Sequence, residues 1–115
     1  MNSNYKISES EMRHIRAMTY KIVTALNPLA VYLFGSFARG DYNADSDYDF
    51  CIVVANDAGE NIALSVKARL SIIDIQNRPV DIIVRNRDYF ARMQQVKNTV
   101  DYEVKKYGVR LYGDC

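Results

Sequence analysis

The chain has 115 residues, 49% hydrophobic and 25% charged, with a formal net charge of +1. That composition is too apolar for a chain disordered by composition, and too close to neutral for a dedicated nucleic-acid binder, whose phosphate contacts show as a basic excess. The length suits one domain, residues 1–115, around one core, and no apolar run approaches the roughly 20 residues of a membrane span. In chain order, the N-terminal stretch Met1 to His14 lacks the apolar segment of a signal peptide, so a cytoplasmic location is expected. Ser8 and Glu11 have capping-box spacing, and Met12, Ile15, Thr19, Ile22, Val23 and Leu26 recur at helical spacing until Asn27-Pro28 ends the helix. His14 falls off that stripe and reads as a solvated residue; alone it cannot make a metal site. Ala30 to Phe34 is a short apolar run read as a buried strand. Gly35 to Ser46 reads as a turn with one helical turn near Phe37, and Tyr48 to Val54 as a second strand. After a loop from Asn56 to Glu60, Ile62, Val66, Leu70 and Ile73 mark another helix. Arg78-Pro79 precedes a third strand, Val80 to Val84. Tyr89, Phe90 and Met93 indicate a helix, and Val100, Val104 and Tyr107 its continuation or a second one. Val109 to Tyr112 is a last strand. The alternation predicts a mixed α/β (α+β) fold with a small sheet flanked by helices.

Two cysteines fit a reducing compartment: Cys51 lies in an apolar run and Cys115 is the last residue, with no spacing that suggests a disulfide or zinc. Tyr32, Tyr48 and Tyr112 lie in strands and read as packing residues.

The chemistry concentrates in one segment, Leu33-Phe34-Gly35-Ser36-Phe37-Ala38-Arg39-Gly40 followed by Asp45-Ser46-Asp47-Tyr48-Asp49-Phe50. Asp47 and Asp49 are two apart at a strand entrance, so alternation points both to one face. Asp81 sits within an apolar strand, where aspartate is a poor fit. Each acid alone has an ordinary explanation; Asp81, for instance, could answer Arg78 or Arg85 in a salt bridge. Three carboxylates converging would repel unless divalent cations lie between them, and hard oxygen donors select Mg²⁺ or Mn²⁺. Gly35-Ser36 opens a turn after a strand, which suits a phosphate oxygen, although Gly-Ser alone is a common turn and the Walker A lysine is absent. Arg39 is either a phosphate contact or the partner of Asp41 or Asp45. Arg85 shares strand parity with Asp81 and reads as solvated beyond the sheet. Asp41, Asp45 and Glu60 read as loop acids, and Lys105-Lys106 as a helix surface.

Gly35-Ser36, ten residues and then Asp47-x-Asp49 resembles the signature of the DNA polymerase β-type nucleotidyltransferase superfamily. Background residue frequencies give such a spacing by chance in about one chain per thousand. The segment Gly35 to Gly40 and the closing Tyr107 to Gly113 are similar to the stand-alone minimal nucleotidyltransferases. The resemblance implies a polymerase β-like fold and two Mg²⁺ ions (Mn²⁺ possible) on Asp47 and Asp49. It implies that Asp81 completes the catalytic metal site, and that Gly35 and Ser36 grip the β- and γ-phosphates of an NTP, expected to be ATP. Such stand-alone domains include antitoxins that modify a tyrosine of a HEPN-domain toxin with AMP. The expected partners are therefore a HEPN toxin and an NTP, in a homo- or hetero-oligomer, without membrane or direct nucleic-acid binding. Two other readings stay open: an antitoxin that neutralises its partner by binding alone, and an antibiotic-modifying nucleotidyltransferase. The second usually carries an added helical domain, for which 115 residues leave little space.

Overall fold

The computed structural model describes residues 7–115. Helix α1 (Glu9–Leu26) leads into strand β1 (Ala30–Phe34), the single turn α2 (Ser36–Arg39) and strand β2 (Tyr48–Val54). Helix α3 (Asn61–Ile72), strand β3 (Val80–Asn86), helices α4 (Arg87–Met93) and α5 (Val100–Tyr107) and strand β4 (Val109–Gly113) complete the order. The four strands form one mixed sheet in the order β3-β2-β1-β4, with β2 and β3 parallel and the other pairs antiparallel. This is the α/β architecture expected from the alternation of periods.

Helices cover the sheet on both faces, and this explains why β1 and β2 read as nearly continuous apolar runs. On one face Val31, Leu33, Phe50, Ile52 and Val84 meet Met12, Ile15, Met18 and Ile22 of α1 and Ala68 and Ile72 of α3. On the other, Ala30, Tyr32, Cys51 and Val53 meet Phe90 of α4 and Val104 of α5.

α1 begins as half a capping box. Ser8 Oγ accepts from the Glu11 amide at 3.2 Å, but the Ser8 amide donates to the Tyr42 hydroxyl rather than to Glu11. The Glu11 carboxylate turns inward instead, taking the Tyr48 hydroxyl proton donor and Arg78 Nη2 at 2.8 Å. The helix ends on Asn27 in the left-handed region, φ 49°, a conformation asparagine tolerates.

Four expectations change. His14 is half-buried rather than solvated, its ring 6.0 Å from that of Tyr48, because α1 is covered on more than the stripe that marked it. Arg85 is not solvated: Nε donates to Asp101 Oδ2 at 3.0 Å, and Asp101 is 2% exposed. A buried carboxylate needs a charged partner, and strand parity delivers this one from β3 to the first turn of α5. Tyr112 lies on edge strand β4 and is half-exposed, whereas Tyr32 and Tyr48 are buried. Finally, Ile62, Val66, Leu70 and Ile73 face outward, and the core face of α3 is Leu64, Ala68 and Ile72, continued by Ile75 in the turn beyond it.

Candidate active site

Because β1 runs antiparallel to β2 while β3 runs parallel to it, the end of β1 and the starts of β2 and β3 meet at one end of the sheet. The register there is Phe34 opposite Asp49 and Asp49 opposite Asp81. Asp49 and Asp81 are therefore adjacent across two strands spaced by about 4.8 Å, side chains on the same face. That face also carries Cys51 and Val53, so burial of the face desolvates Asp49. Its carboxyl is pushed up to about 6, first by burial, then by the charges of Asp81 and Asp47. Asp47 is half-buried, one residue outside the strand.

Neither arginine weighed as a partner for Asp81 is available to it, since Arg78 is held by Glu11 and Arg85 by Asp101. Among the described residues no arginine, lysine or histidine nitrogen lies within 4.0 Å of Asp47, Asp49 or Asp81. As placed, no three acidic, histidine or cysteine side chains of the described residues are gathered tightly enough to hold one metal ion. The donors still suit a divalent cation: hard oxygens, two of them in register, without a protein counter-charge and mutually repelling.

Gly35 adopts φ 76° and ψ −153°, and a Cβ built on it would stand 2.2 Å from Asp49 Oδ2. The missing side chain is the space into which Asp49 projects. Gly35 caps α2, whose first bond is the Arg39 amide to the Gly35 carbonyl at 3.0 Å. The amides of Ser36, Phe37 and Ala38 precede that bond and open the turn as donors. Gly35 and Ser36 are thus brought beside the acids.

Arg39 projects from the far end of the turn, half-exposed, with Nε 3.4 Å from Asp41 and Nη1 3.4 Å from Glu103 of α5. The expected salt bridge to Asp41 is present, and Asp45 takes no part among the described ion pairs. Glu103 is a fourth acid near the site, and its charge also raises Asp49. Sequence reading passed over Glu103 because it lies on a helix distant in the chain, and no periodicity ties it to the Asp47–Asp49 segment.

A second group, Tyr48 with Arg78, supports the site from behind; both were named in the sequence, Tyr48 as the packing residue it is, but not in this role. Tyr48 alternates to the opposite face and is fully buried against Phe37 and Arg78. Its phenol is pushed up to about 12 by burial and by Glu11, so it remains a donor to that carboxylate. Arg78 lies over the Phe37 and Tyr48 rings at 5.0 and 5.2 Å and donates to the Ser46 carbonyl at 2.9 Å. It thereby ties the loop that delivers Asp47. Cys51, two residues beyond Asp49, has its thiol pushed up to about 12 by burial and offers no nucleophile.

Adjacent carboxylates, a glycine-serine turn and an arginine at its end lie together at this end of the sheet. The family model for the nucleotidyltransferase domain matches residues 18–107, a span that contains all of these groups. The chain belongs to that family and is a nucleotidyltransferase. It is 34% identical over 84 residues to a candidate protein adenylyltransferase of Methanocaldococcus jannaschii, covering 70% of this chain and 76% of that one. The fold is similar to that of a candidate nucleotidyltransferase from Sulfolobus solfataricus (TM-score 0.57, 23% identity, 89% of this chain and 79% of that one). It is also similar to a chain of a toxin–antitoxin crystallised with AMP-PNP (TM-score 0.56, 23% identity, 86% and 73%). A chain of the toxin–antitoxin MntA–HpeT, in a variant with two aspartates changed to glutamate, gives a TM-score of 0.53 at 19% identity over 86% and 73%.

Proposed function

We propose that this chain transfers AMP from ATP to a protein hydroxyl, a tyrosine of a HEPN-domain toxin, with two Mg²⁺ or Mn²⁺ ions, and acts as that toxin's antitoxin. The observation that carries the reading is the Asp49–Asp81 register with Asp47 beside it, uncompensated by any cation of the described residues, next to Gly35-Ser36. The printed names of the relatives, a protein adenylyltransferase and a toxin–antitoxin with AMP-PNP, support the acceptor class and the donor.

In this reading Asp47 and Asp49 would hold both ions, with Asp81 completing the catalytic one. Bound there, the ions would supply positive charge to the attacking and leaving oxygens. The protein's own contributions follow from the geometry. Gly35 leaves room for Asp49, and Ser36 with the free amides of α2 holds β- and γ-phosphate oxygens. Arg39 exchanges Asp41 and Glu103 for phosphate oxygens, for which its planar guanidinium is suited. Asp81, across the strands from Asp49, would take the acceptor hydroxyl proton. The hydroxyl oxygen then bonds to the α-phosphorus in line, the α–β bridging bond breaks, and pyrophosphate leaves.

The raised carboxyl of Asp49 gives the reaction a pH dependence. Cations bind the ionised form, so ion affinity and transfer should fall as pH drops through about 6. A titration of transfer rate against Mg²⁺ at several pH values checks this, with the required Mg²⁺ rising toward acid. A pH-independent Mg²⁺ requirement between pH 5 and 7 would remove Asp49 from the ion site.

Intact-mass spectrometry of the chain co-expressed with the toxin tests the function itself. AMP-sized increments should appear on the toxin with wild-type chain and be absent with Asp47→Asn. Equal neutralisation by that variant, with no added mass, would make binding alone the mechanism.

A further inference from the structure

Helix α3 and the turn that follows it carry two apolar stripes of the same spacing. Leu64, Ala68, Ile72 and Ile75 pack into the core. Ile62, Val66, Leu70 and Ile73, each offset by two residues, are 81%, 50%, 63% and 66% exposed. An offset of two residues turns about 200° around a helix, so the stripes stand back to back. A helix apolar on opposite faces belongs between two layers, and this chain supplies only one of them.

We propose that the outer stripe of α3 seats an amphipathic helix of a partner protein whose own apolar stripe is flanked by carboxylates. Ile62, Val66 and Leu70, four residues apart, form a ridge of the kind that packs into the groove of a facing helix, and Ile73 extends it past the helix end. The flanks determine the partner's charge. At 100° per residue Lys67 borders the stripe on one side and Arg69 on the other, Arg69 also donating Nη1 to the Val80 carbonyl at 2.9 Å. Asp74, the acid on the Lys67 side, is already paired with Lys21 of α1 at 3.1 Å. Neither Lys67 nor Arg69 has a carboxylate partner among the described ion pairs, so the rim is net basic and complements an acidic one.

The same charges disfavour a second copy of this chain. Antiparallel pairing about the level of Ala68 would bring Lys67 against Lys67 along one flank and Arg69 against Arg69 along the other, like-charge contacts. A lipid surface is disfavoured by the stripe itself, which is one residue wide, rich in Ile and Val, and lacks the aromatic residues that anchor interfacial helices. Since α3 covers the sheet face opposite Asp49 and Asp81, a helix seated there leaves the carboxylates open, and the inference does not depend on the transfer reading.

Fluorescence anisotropy of the full chain tests this with two labelled synthetic helices of the same leucine stripe, one flanked by glutamates and its twin by lysines. The glutamate helix should bind about tenfold or more tighter than its twin. Leu70→Asp should abolish binding without changing the melting temperature or nucleotidyl transfer, since Leu70 is on the surface. Lys67→Glu should narrow or reverse the preference. Equal binding of both helices, binding of neither, or binding that survives Leu70→Asp would overturn the proposal. So would a dimer of the chain alone, or co-sedimentation with phosphatidylserine vesicles, that Leu70→Asp abolishes; these outcomes would assign the stripe to a second copy or to lipid.

Discussion

Asp49→Asn should lower nucleotidyl transfer by about 10³-fold, roughly 4 kcal/mol of transition-state stabilisation, while leaving the ligand-free protein as stable as wild type or more so. Both halves follow from one environment. Asp49 is flanked by Asp81 in register and by Asp47 two residues away, and it has no cation partner among the described residues. Its folded carboxyl titrates near 6 against an ordinary 3.8, so the folded chain binds the extra proton between those values. The stability associated with Asp49 is thus fully present below about pH 4 and lost as pH rises through about 6. At pH 7 the ionised side chain costs about 1 kcal/mol, a figure reduced for solvent screening of a half-exposed group. The amide keeps the shape and removes that cost, so the melting temperature should rise by up to about 4 °C. Asp47→Asn should lose transfer similarly with little change in stability, since Asp47 lies outside the strand. Asp45→Asn, on the exposed loop, is the control and should behave as wild type. Transfer by Asp49→Asn within a few-fold of wild type would exclude this site.

The second large effect is expected at Gly35→Ala, for a steric rather than an electrostatic reason. With φ 76° and ψ −153°, Gly35 occupies a region that side-chain-bearing residues almost never enter, at a cost of about 1–3 kcal/mol. The new methyl would also meet Asp49 Oδ2 at 2.2 Å, so that carboxylate must move or the turn must open. Together these should lower the melting temperature by about 10 °C and reduce transfer at least as much as loss of a single phosphate-binding donor, about 10²-fold. Gly59 separates the two causes. It also has positive φ, 131°, but a Cβ there meets nothing nearer than Leu64 at 3.9 Å. Gly59→Ala should lower the melting temperature by strain alone and leave transfer intact. If Gly35→Ala loses stability but keeps full transfer, the close approach of Asp49 to the turn is not part of the site.

These two residues also show how far the sequence carried the argument. Asp49 and Asp81 were legible because a polar residue in an apolar, period-two run conflicts with local preference, and such conflicts mark function or strain. Gly35 was legible through its place between a strand and the Ser36 turn, but the contact it allows was not. That contact depends on β1 pairing antiparallel to β2 with Phe34 opposite Asp49, a register that no local pattern encodes.

The sequence alone determined the element order, the two buried central strands and the turn after β1, because each follows from short-range periodicity and backbone preference; the shared face of Asp49 and Asp81 comes from the β2–β3 register. Only the tertiary structure decided where the long side chains went. Arg78 pairs with Glu11, 67 residues away in the chain, and Arg85 with buried Asp101; both assignments leave Asp81 free. It also decided which of the two stripes of α3 faces the core. Their spacing is identical, so periodicity cannot distinguish them, and the larger aliphatic side chains lie on the outer one. The inner stripe carries Ala68 at its centre because α3 sits close against the sheet and α1, where a small residue fits and a larger one would not.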